Sequence, residues 1–324
     1  MFQRLLRRSS AAFLLVCSLL FSDAHIFVYH RFGDPRYPST NTSLAELEAQ
    51  FTYFKQHHYK VVSLSTLVQA LQNKKEIPSN WVILTIDDGF KSFLNALPLF
   101  LKFHYPFTLF LATKPIENRY PDYLSWKDLK KIAQYGEIAF HSHTHPHLVD
   151  LSNQEIRNDT KKGLELFIKR LGYIPKYYAY PYGEYNERVK RVIKSFGFTA
   201  ICNQNTGAIS KKSDIYDLDR IALVGKVSLP KQLSITHLDA VWFEPKRYPK
   251  DGILQKVKIQ IDPIYKHAFL YVTGYGWQKV TVNDGFIDQK LHLPLTKKRI
   301  RVIIKVKNSK ISTKILVRSR YGTE

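Results

Sequence analysis

The chain has 324 residues, of which 44% are hydrophobic, so it is long enough for one large domain and a smaller one. Its formal net charge of +22 favours contact with polyanions such as anionic envelope polymers or acidic membrane surfaces. No helix or zinc-knuckle pattern for reading bases is present, so nucleic acid is excluded as an expected partner.

The N-terminus predicts a signal peptide over residues 1–24. Three arginines precede an apolar stretch over 11–21, and Ser22-Asp23-Ala24 places small residues at the cleavage positions. The alternative is an uncleaved membrane anchor, because the stretch is short for a span but could hold the chain at a membrane. Cleavage after Ala24 would lower the formal charge only to +20. We expect an exported protein that is periplasmic, extracellular or envelope-associated.

The sequence contains only two cysteines, Cys17 and Cys202. Cys17 would leave with the signal peptide, so the mature chain cannot form an internal disulfide. Cys202 follows the apolar run 198–201 and is predicted to be a small buried residue.

Between Ala24 and Leu229, strand-like and helix-like segments alternate. Apolar runs predict strands at 26–29, 61–62, 81–86, 107–111, 137–140, 177–180 and 200–201. Helical spacing predicts helices at 44–58, 64–72, 92–103, 125–134, 153–171 and 186–196. This alternation predicts a parallel sheet covered by helices, either open or closed into a barrel.

The pattern changes after about Pro230. Short alternating or apolar runs predict strands at 257–261, 268–272, 302–306 and 315–317, typical of an antiparallel sandwich of roughly 80 residues. We therefore divide the chain into a main domain over 25–229 and a β-rich C-terminal domain over 230–324. The basic run 297–301 is either a strand edge protected by charge or a docking face for an anionic polymer.

Two segments carry the residues of a catalytic site. Asp87-Asp88-Gly89 follows the strand 81–86, and three histidines within five positions follow the strand 137–140. Alone, each segment is a polar turn or loop, but together they indicate a metal-dependent hydrolase. Successive strand residues point to opposite sides, so one Asp is expected to bind metal and the other to take a proton.

The histidines leave two arrangements open. On a continuing strand, His141, His143 and His145 would share a face, whereas on a helical turn His141 and His145 would pair. The residues alone do not decide between these arrangements, nor which Asp is the ligand.

Three motifs resemble the first three motifs of the polysaccharide deacetylases, the carbohydrate esterase family 4 or NodB-homology enzymes. They are Thr85-Ile86-Asp87-Asp88-Gly89, His141-Ser142-His143-Thr144-His145-Pro146 and Tyr180-Pro181-Tyr182-Gly183. The resemblance extends from about His25 to Leu229. It implies a distorted (β/α) barrel of the NodB type.

The resemblance also implies a role for each motif residue. Asp87 would be the general base, and a divalent metal would be bound by Asp88, His141 and His145. Zinc is the default metal, and nickel or cobalt would suit the same ligands. Ser142 would support the site, and His143 and His147 would not be ligands. The substrate groove would be lined by Tyr180, Pro181 and Tyr182, with the N–H of Tyr182 facing the oxyanion.

Two departures from the family pattern suggest replacements. Ala179 stands where most members carry an Arg that steadies the catalytic Asp, and Arg220 is the candidate to replace it. The late segment 233–237 does not match the family's general-acid motif. Tyr29-His30-Arg31-Phe32 resembles the arrangement in the poly-N-acetylglucosamine deacetylases, where the domain is circularly permuted, so His30 is the expected general acid.

The expected function is metal-dependent removal of N-acetyl groups from an N-acetylglucosamine-containing envelope or extracellular polysaccharide, with release of acetate. Two alternatives remain open on the same fold. One is a non-catalytic glycan-binding protein, and the other is an amidase that acts on a small non-sugar amide.

Overall fold

The computed structural model describes residues 23–225 and 227–321. Most of the predicted signal peptide lies outside these residues, but its last two positions, Asp23 and Ala24, belong to the fold. Ala24 forms a β-bridge with Ile209 through two hydrogen bonds of 2.8 Å, and Asp23 Oδ2 accepts one of 2.8 Å from the N–H of His237. A cut after Ala24 would remove these contacts. Among the described residues, no helix combines the length and apolar character needed to cross a membrane.

The first part of the chain alternates strands and helices. The strands are β1 (His25–Tyr29), β2 (Arg31–Phe32), β3 (Asn41–Thr42), β4 (Lys60–Val61), β5 (Trp81–Ile86), β6 (Thr108–Leu111), β7 (Glu137–Phe140), β8 (Tyr177–Ala179), β9 (Ala200–Cys202) and β10 (Ile221–Ala222). The helices are α1 (Leu44–Gln56), α2 (Leu64–Gln72), α3 (Phe93–Phe103), α4 (Thr113–Glu117), α5 (Trp126–Ile132), α6 (Asn153–Leu171) and α7 (Glu187–Lys194). Capping boxes begin three of these helices, because Ser43, Ser125 and Ser152 each accept a hydrogen bond from the N–H three residues on.

Eight of these strands form one parallel sheet in the order β10-β1-β5-β6-β7-β8-β9, with β4 paired to the first residues of β5, while β2 and β3 pair only with each other. A parallel bridge between Cys202 and Leu218 joins the end of β9 to the segment that leads into β10. The two edges of the sheet are thereby brought together, as in a distorted barrel. The predicted fold class is confirmed.

Alternate residues of each strand enter different cores, as the two-residue period of a strand requires. Outward residues such as Phe27, Leu84 and Phe140 pack under the helices. Inward residues include Ala139, Ala179 and Cys202, all fully buried. These small side chains leave room inside the barrel for a large residue, and burial raises the pKa of the Cys202 thiol to about 12.

The C-terminal part follows the short helix α8 (Leu229–Leu233) and contains two sheets. Its strands are β11 (Thr236–His237), β12 (Val241–Glu244), β13 (Ile253–Gln260), β14 (His267–Val272), β15 (Gly276–Thr281), β16 (Phe286–Pro294), β17 (Arg299–Lys305) and β18 (Lys310–Val317). One sheet has the order β11-β18-β17-β14-β15, and the other has the order β12-β13-β16. Residues of both sheets form a core of their own, as the predicted β-rich region requires.

Candidate active site

The predicted site residues gather at the carboxyl ends of neighbouring parallel strands. Asp87 and Asp88 follow β5, His141 follows β7, and His30 follows β1. In a parallel sheet these ends lie on one side, where α/β proteins place their chemistry.

Left-handed backbone conformations bend the chain around this site. Asp88 has a φ of 74°, Ser142 of 72°, His145 of 55° and Tyr182 of 59°. Gly89 continues the turn at 81°, where an added Cβ would lie 3.0 Å from Leu111 Cδ2. Non-glycine residues rarely adopt such angles, and strain of this kind concentrates at functional sites.

Three potential metal ligands converge in this turn region. Asp88 Oδ1 lies 3.0 Å from His145 Nε2 and 3.4 Å from His141 Nε2, and the two histidine nitrogens are 3.2 Å apart. The histidines occupy neither a continuing strand nor a helix but a loop whose left-handed residues bring His145 back to His141.

The hydrogen bonds behind the ligands orient them for a cation. His141 Nδ1 lies 2.7 Å from the carbonyl oxygen of Ala179, which can only accept, so Nδ1 carries the proton and Nε2 presents its lone pair. Ser142 Oγ accepts a hydrogen bond of 2.9 Å from the N–H of His145. One carboxylate oxygen and two imidazole nitrogens suit zinc or a similar divalent ion, so the residues fit the predicted metal.

Asp87 is completely buried beside this cluster, and Arg220 is its main partner. The guanidinium donates hydrogen bonds of 2.7 Å from Nη1 and Nη2 to the two carboxylate oxygens. Arg220 is itself held by the carbonyl of Asn203 and the hydroxyl of Thr85. Burial acts to raise the pKa of Asp87, but the charge and hydrogen bonds of Arg220 act against it, and this pKa lies below its usual value.

His30 lies on the same side of the sheet as the two aspartates. It is half-buried, and its Nδ1 is buried with no hydrogen-bond partner among the described residues. Burial acts to raise the pKa of Asp87 and of Asp88, and His30 is among the nearby groups that act to lower the pKa of both. His237, in the late segment that did not match, donates its N–H to Asp23, near the opposite end of β1.

The third motif needs a correction. Tyr180 is fully buried, with its ring stacked on Tyr185 at 4.7 Å between centroids, and Pro181 is also buried. Neither side chain can line a substrate groove, because both pack into the core where the chain leaves β8. Tyr182 is 37% exposed and presents its ring to the site, 4.4 Å from the ring of His145.

The remaining histidines of the second motif take supporting positions. His143 Nδ1 contacts the hydroxyl of Thr113 at 2.9 Å and stands outside the ligand cluster. His147 contacts Glu184 at 2.7 Å and stacks on the ring of Tyr182 at 4.1 Å. These contacts fix the loop and the exposed tyrosine.

Two residues at the rim of the site are not predicted by the sequence. Tyr123, which follows β6 and α4, has its pKa raised to about 12 by burial first and by the negative charge of Asp88 second. Arg299, far along the chain in β17, donates a hydrogen bond of 2.6 Å to the carbonyl oxygen of Tyr182. Both residues reach the site only through the tertiary structure, so no local sequence pattern predicts them.

Comparison with known proteins agrees with this geometry. The family described as polysaccharide deacetylase matches residues 74–201, which include β5, β7 and the metal-ligand cluster. The resemblance to the polysaccharide deacetylases is confirmed. The match contains Asp87, Asp88 and the three motifs that the sequence displays.

Proteins that are similar in sequence are named as deacetylases of a polysaccharide. A poly-beta-1,6-N-acetyl-D-glucosamine N-deacetylase of Staphylococcus aureus is 26% identical over 211 residues, which cover 61% of this chain and 72% of the relative. The protein of that name from Escherichia coli K12 is 22% identical over 310 residues, which cover 76% of this chain. The chain spans only 45% of the Escherichia coli relative's length.

A solved structure supports the fold assignment. The Streptococcus pyogenes deacetylase PplD, in complex with acetate, superposes with a TM-score of 0.60 at 24% identity, over 65% of this chain and 96% of that one. Identity at this level shows the fold alone.

Proposed function

We propose that the protein is a metal-dependent N-deacetylase of an N-acetylglucosamine-containing polysaccharide and that it acts outside the cytoplasm. The observation that carries this proposal is the convergence of Asp88, His141 and His145 next to a buried carboxylate, Asp87, which Arg220 holds. A metal-ligand set beside a separate base is what hydrolysis of an amide requires.

Asp88, His141 and His145 would hold the divalent ion, for which zinc is the first expectation and nickel or cobalt the alternatives. The bound ion would supply a positive charge that polarises the acetyl carbonyl and lowers the pKa of a nearby water. Asp87 is kept ionised by Arg220, so it is in the right state to take a proton from the attacking water.

The other half of the reaction is protonation of the departing amine. His30 is assigned this role because its unpartnered Nδ1 lies among buried atoms on the same side of the sheet as Asp87. The N–H of Tyr182 would stabilise the negative charge that develops on the acetyl oxygen. Acetate and a glucosamine-type amine would be the products.

The names of the relatives support a glucosamine polymer, since the Staphylococcus aureus and Escherichia coli proteins are poly-beta-1,6-N-acetyl-D-glucosamine N-deacetylases. The signal-like N-terminus supports an exported setting, and the high positive charge supports an anionic surface nearby.

The test is acetate release from a panel that includes poly-N-acetylglucosamine, chitooligosaccharides and a small non-sugar acetamide. We expect release from the polymers, loss with a chelator and recovery on adding zinc, nickel or cobalt. Glycan binding without acetate release would indicate a non-catalytic binding protein. A preference for the small acetamide would indicate an amidase.

A further inference from the structure

One side of the sheet that contains β14, β15 and β17 carries exposed and half-buried aromatic and cationic side chains. Strand pairing sets Phe269 opposite Lys279 and Tyr271 opposite Trp277, while the alternate residues of β14 face the core. Lys305 of β17 pairs with Phe269 and lies on the same side. We call this surface the aromatic-cationic face, formed by Phe269, Tyr271, Trp277, Lys279, Arg301 and Lys305.

Two aromatic residues of this face, Phe269 and Trp277, are exposed, and the third, Tyr271, is half-buried. Phe269 is 44% exposed and Trp277 is 51% exposed. The rings of Tyr271 and Trp277 are 5.2 Å apart, and Lys305 Nζ lies 5.8 Å from the Trp277 ring. Grouped exposed aromatics of this kind mark interaction surfaces, whereas single ones do not.

The face is continuous with the rim of the candidate active site. Arg299, at the start of β17, donates to the carbonyl of Tyr182, and its neighbour Lys298 forms an ion pair with Asp150 at 2.5 Å. On the same side of the sheet, Ile315 and Val317 pack into the core of the barrel. The strand rise puts Ile303, the partner of Tyr271, about 13 Å beyond Arg299.

The part of the chain that forms this face is strongly basic. Residues 289–323 contain eleven Lys and Arg but no Asp or Glu, and β14 and β15 contain no Asp or Glu either. The Nε of Arg301 is buried and has no hydrogen-bond partner among the described residues. A face of this composition attracts anions at close range.

We propose that the aromatic-cationic face binds a carboxylate-bearing glycan strand that contains N-acetylglucosamine, at sugars beyond the one held in the catalytic site. This rests on the proposed deacetylase function and narrows its substrate to an anionic glycan. The aromatic rings offer flat surfaces to the apolar faces of sugar rings, and the cations meet the carboxylates. The contact through Arg299 favours a glycan over a lipid surface, because a strand leaving the active site would pass over this face.

The experiment measures equilibrium binding to purified peptidoglycan sacculi, whose glycan and peptides carry carboxylates. Every protein carries Asp87→Asn, so that turnover does not alter the ligand. Trp277→Ala tests the aromatic part, and the double variant Lys279→Glu, Lys305→Glu tests the charge. The matched control is Lys74→Glu, Lys75→Glu, which makes the same charge change at two exposed lysines between α2 and β5, outside the aromatic-cationic face. Thermal melting confirms that each variant is folded.

We expect each face variant to bind sacculi at least about tenfold more weakly, while the control stays within about twofold of the parent. Binding by the parent should also weaken when the carboxylates of the sacculi are amidated. Equal binding by all variants would overturn the proposal. So would equally tight binding of neutral chitohexaose, a preference for phosphatidylglycerol vesicles, or a dimer that Trp277→Ala dissociates.

This outcome is separable from that of the proposed function. Loss of sacculus binding in the face variants would support the face even when the wild-type protein released no acetate. If the wild-type protein released acetate and the face variants bound sacculi normally, the proposed glycan-binding face would be contradicted and the proposed deacetylase function would stand.

Discussion

Arg220 lies 133 residues after Asp87 in the sequence and donates one hydrogen bond of 2.7 Å to each oxygen of the Asp87 carboxylate. Both side chains are fully buried, so each charge depends on the other for compensation. The pair lies near Cys202 inside the barrel, and Arg220 comes from the segment that leads into β10, whereas the family pattern predicts this Arg at the position of Ala179.

Replacing Arg220 with Lys should reduce activity by about 10–100-fold, because a point charge cannot reproduce the paired contacts of a guanidinium. Arg220 lowers the pKa of Asp87, so its loss should raise that pKa and move the acidic limb of the rate profile to higher pH. The measurement is kcat/KM for acetate release against pH. Arg188→Lys, at another buried arginine that contacts Asn153, is the control and should leave the profile unchanged.

Asp87→Asn should keep the metal and lower kcat by about 10²–10⁴-fold, as expected for loss of a general base. The amide preserves the shape of the side chain but leaves the charge of Arg220 uncompensated, so stability should fall by about 3–5 kcal/mol. Acetate assays, elemental analysis and denaturant unfolding give the three values. Wild-type turnover by the purified variant would show that Asp87 is not the base.

His141→Ala should strongly reduce bound metal, because it removes the nitrogen that Ala179 orients toward Asp88. The matched control is His143→Ala, two residues away, whose imidazole contacts Thr113 rather than the cluster. Zinc per protein after dialysis distinguishes the two. Equal metal content in both variants would remove His141 from the ligand set.

His30→Gln should affect substrates according to their leaving group. An amine must be protonated as it departs, so release from N-acetyl substrates should fall by about 10²–10⁴-fold. An activated aryl acetate needs little protonation and should lose far less. His237→Gln, near the other end of β1, serves as the control. An equal loss on both substrate types would point to a structural role for His30.

The sequence predicted the parts of the site that depend on local order. Asp87 and Asp88 follow a strongly apolar strand, and the His141–His145 spacing is short, so both could be placed at strand ends. Arg220 was selected as a candidate, but its two hydrogen bonds to Asp87 depend on tertiary structure. The prediction that Tyr180 lines the groove is wrong, because an aromatic residue at this position could equally pack inward or line a surface, and the sequence does not show which.

The C-terminal region shows a similar limit. The strands β15 and β16 are not predicted by the sequence, because β15 exposes nearly every residue and β16 carries Asp288-Gln289-Lys290 in its centre. Such strands lack the clean alternation that marks a half-buried strand. They form because β14 and β13 supply their hydrogen-bond partners. The predicted division near residue 230 stays a prediction, since β18 contributes Ile315 and Val317 to the barrel core.

The last prediction concerns stability rather than catalysis. His25 is buried at the start of β1, where its Nε2 lies 2.8 Å from the carbonyl of Ile235, and burial lowers its pKa from 6.5 to about 4. Below pH 6.5 His25 binds a proton in the unfolded chain but not in the folded one. The free energy of unfolding should therefore fall between pH 6.5 and about pH 4, and this group should change it no further below about pH 4. The loss from this group is about 3 kcal/mol. Urea unfolding of His25→Gln should show a correspondingly flatter dependence on pH over this range, whereas His58→Gln, at an exposed histidine, should follow the wild-type curve. An unchanged pH dependence in His25→Gln would mean that His25 does not carry this effect.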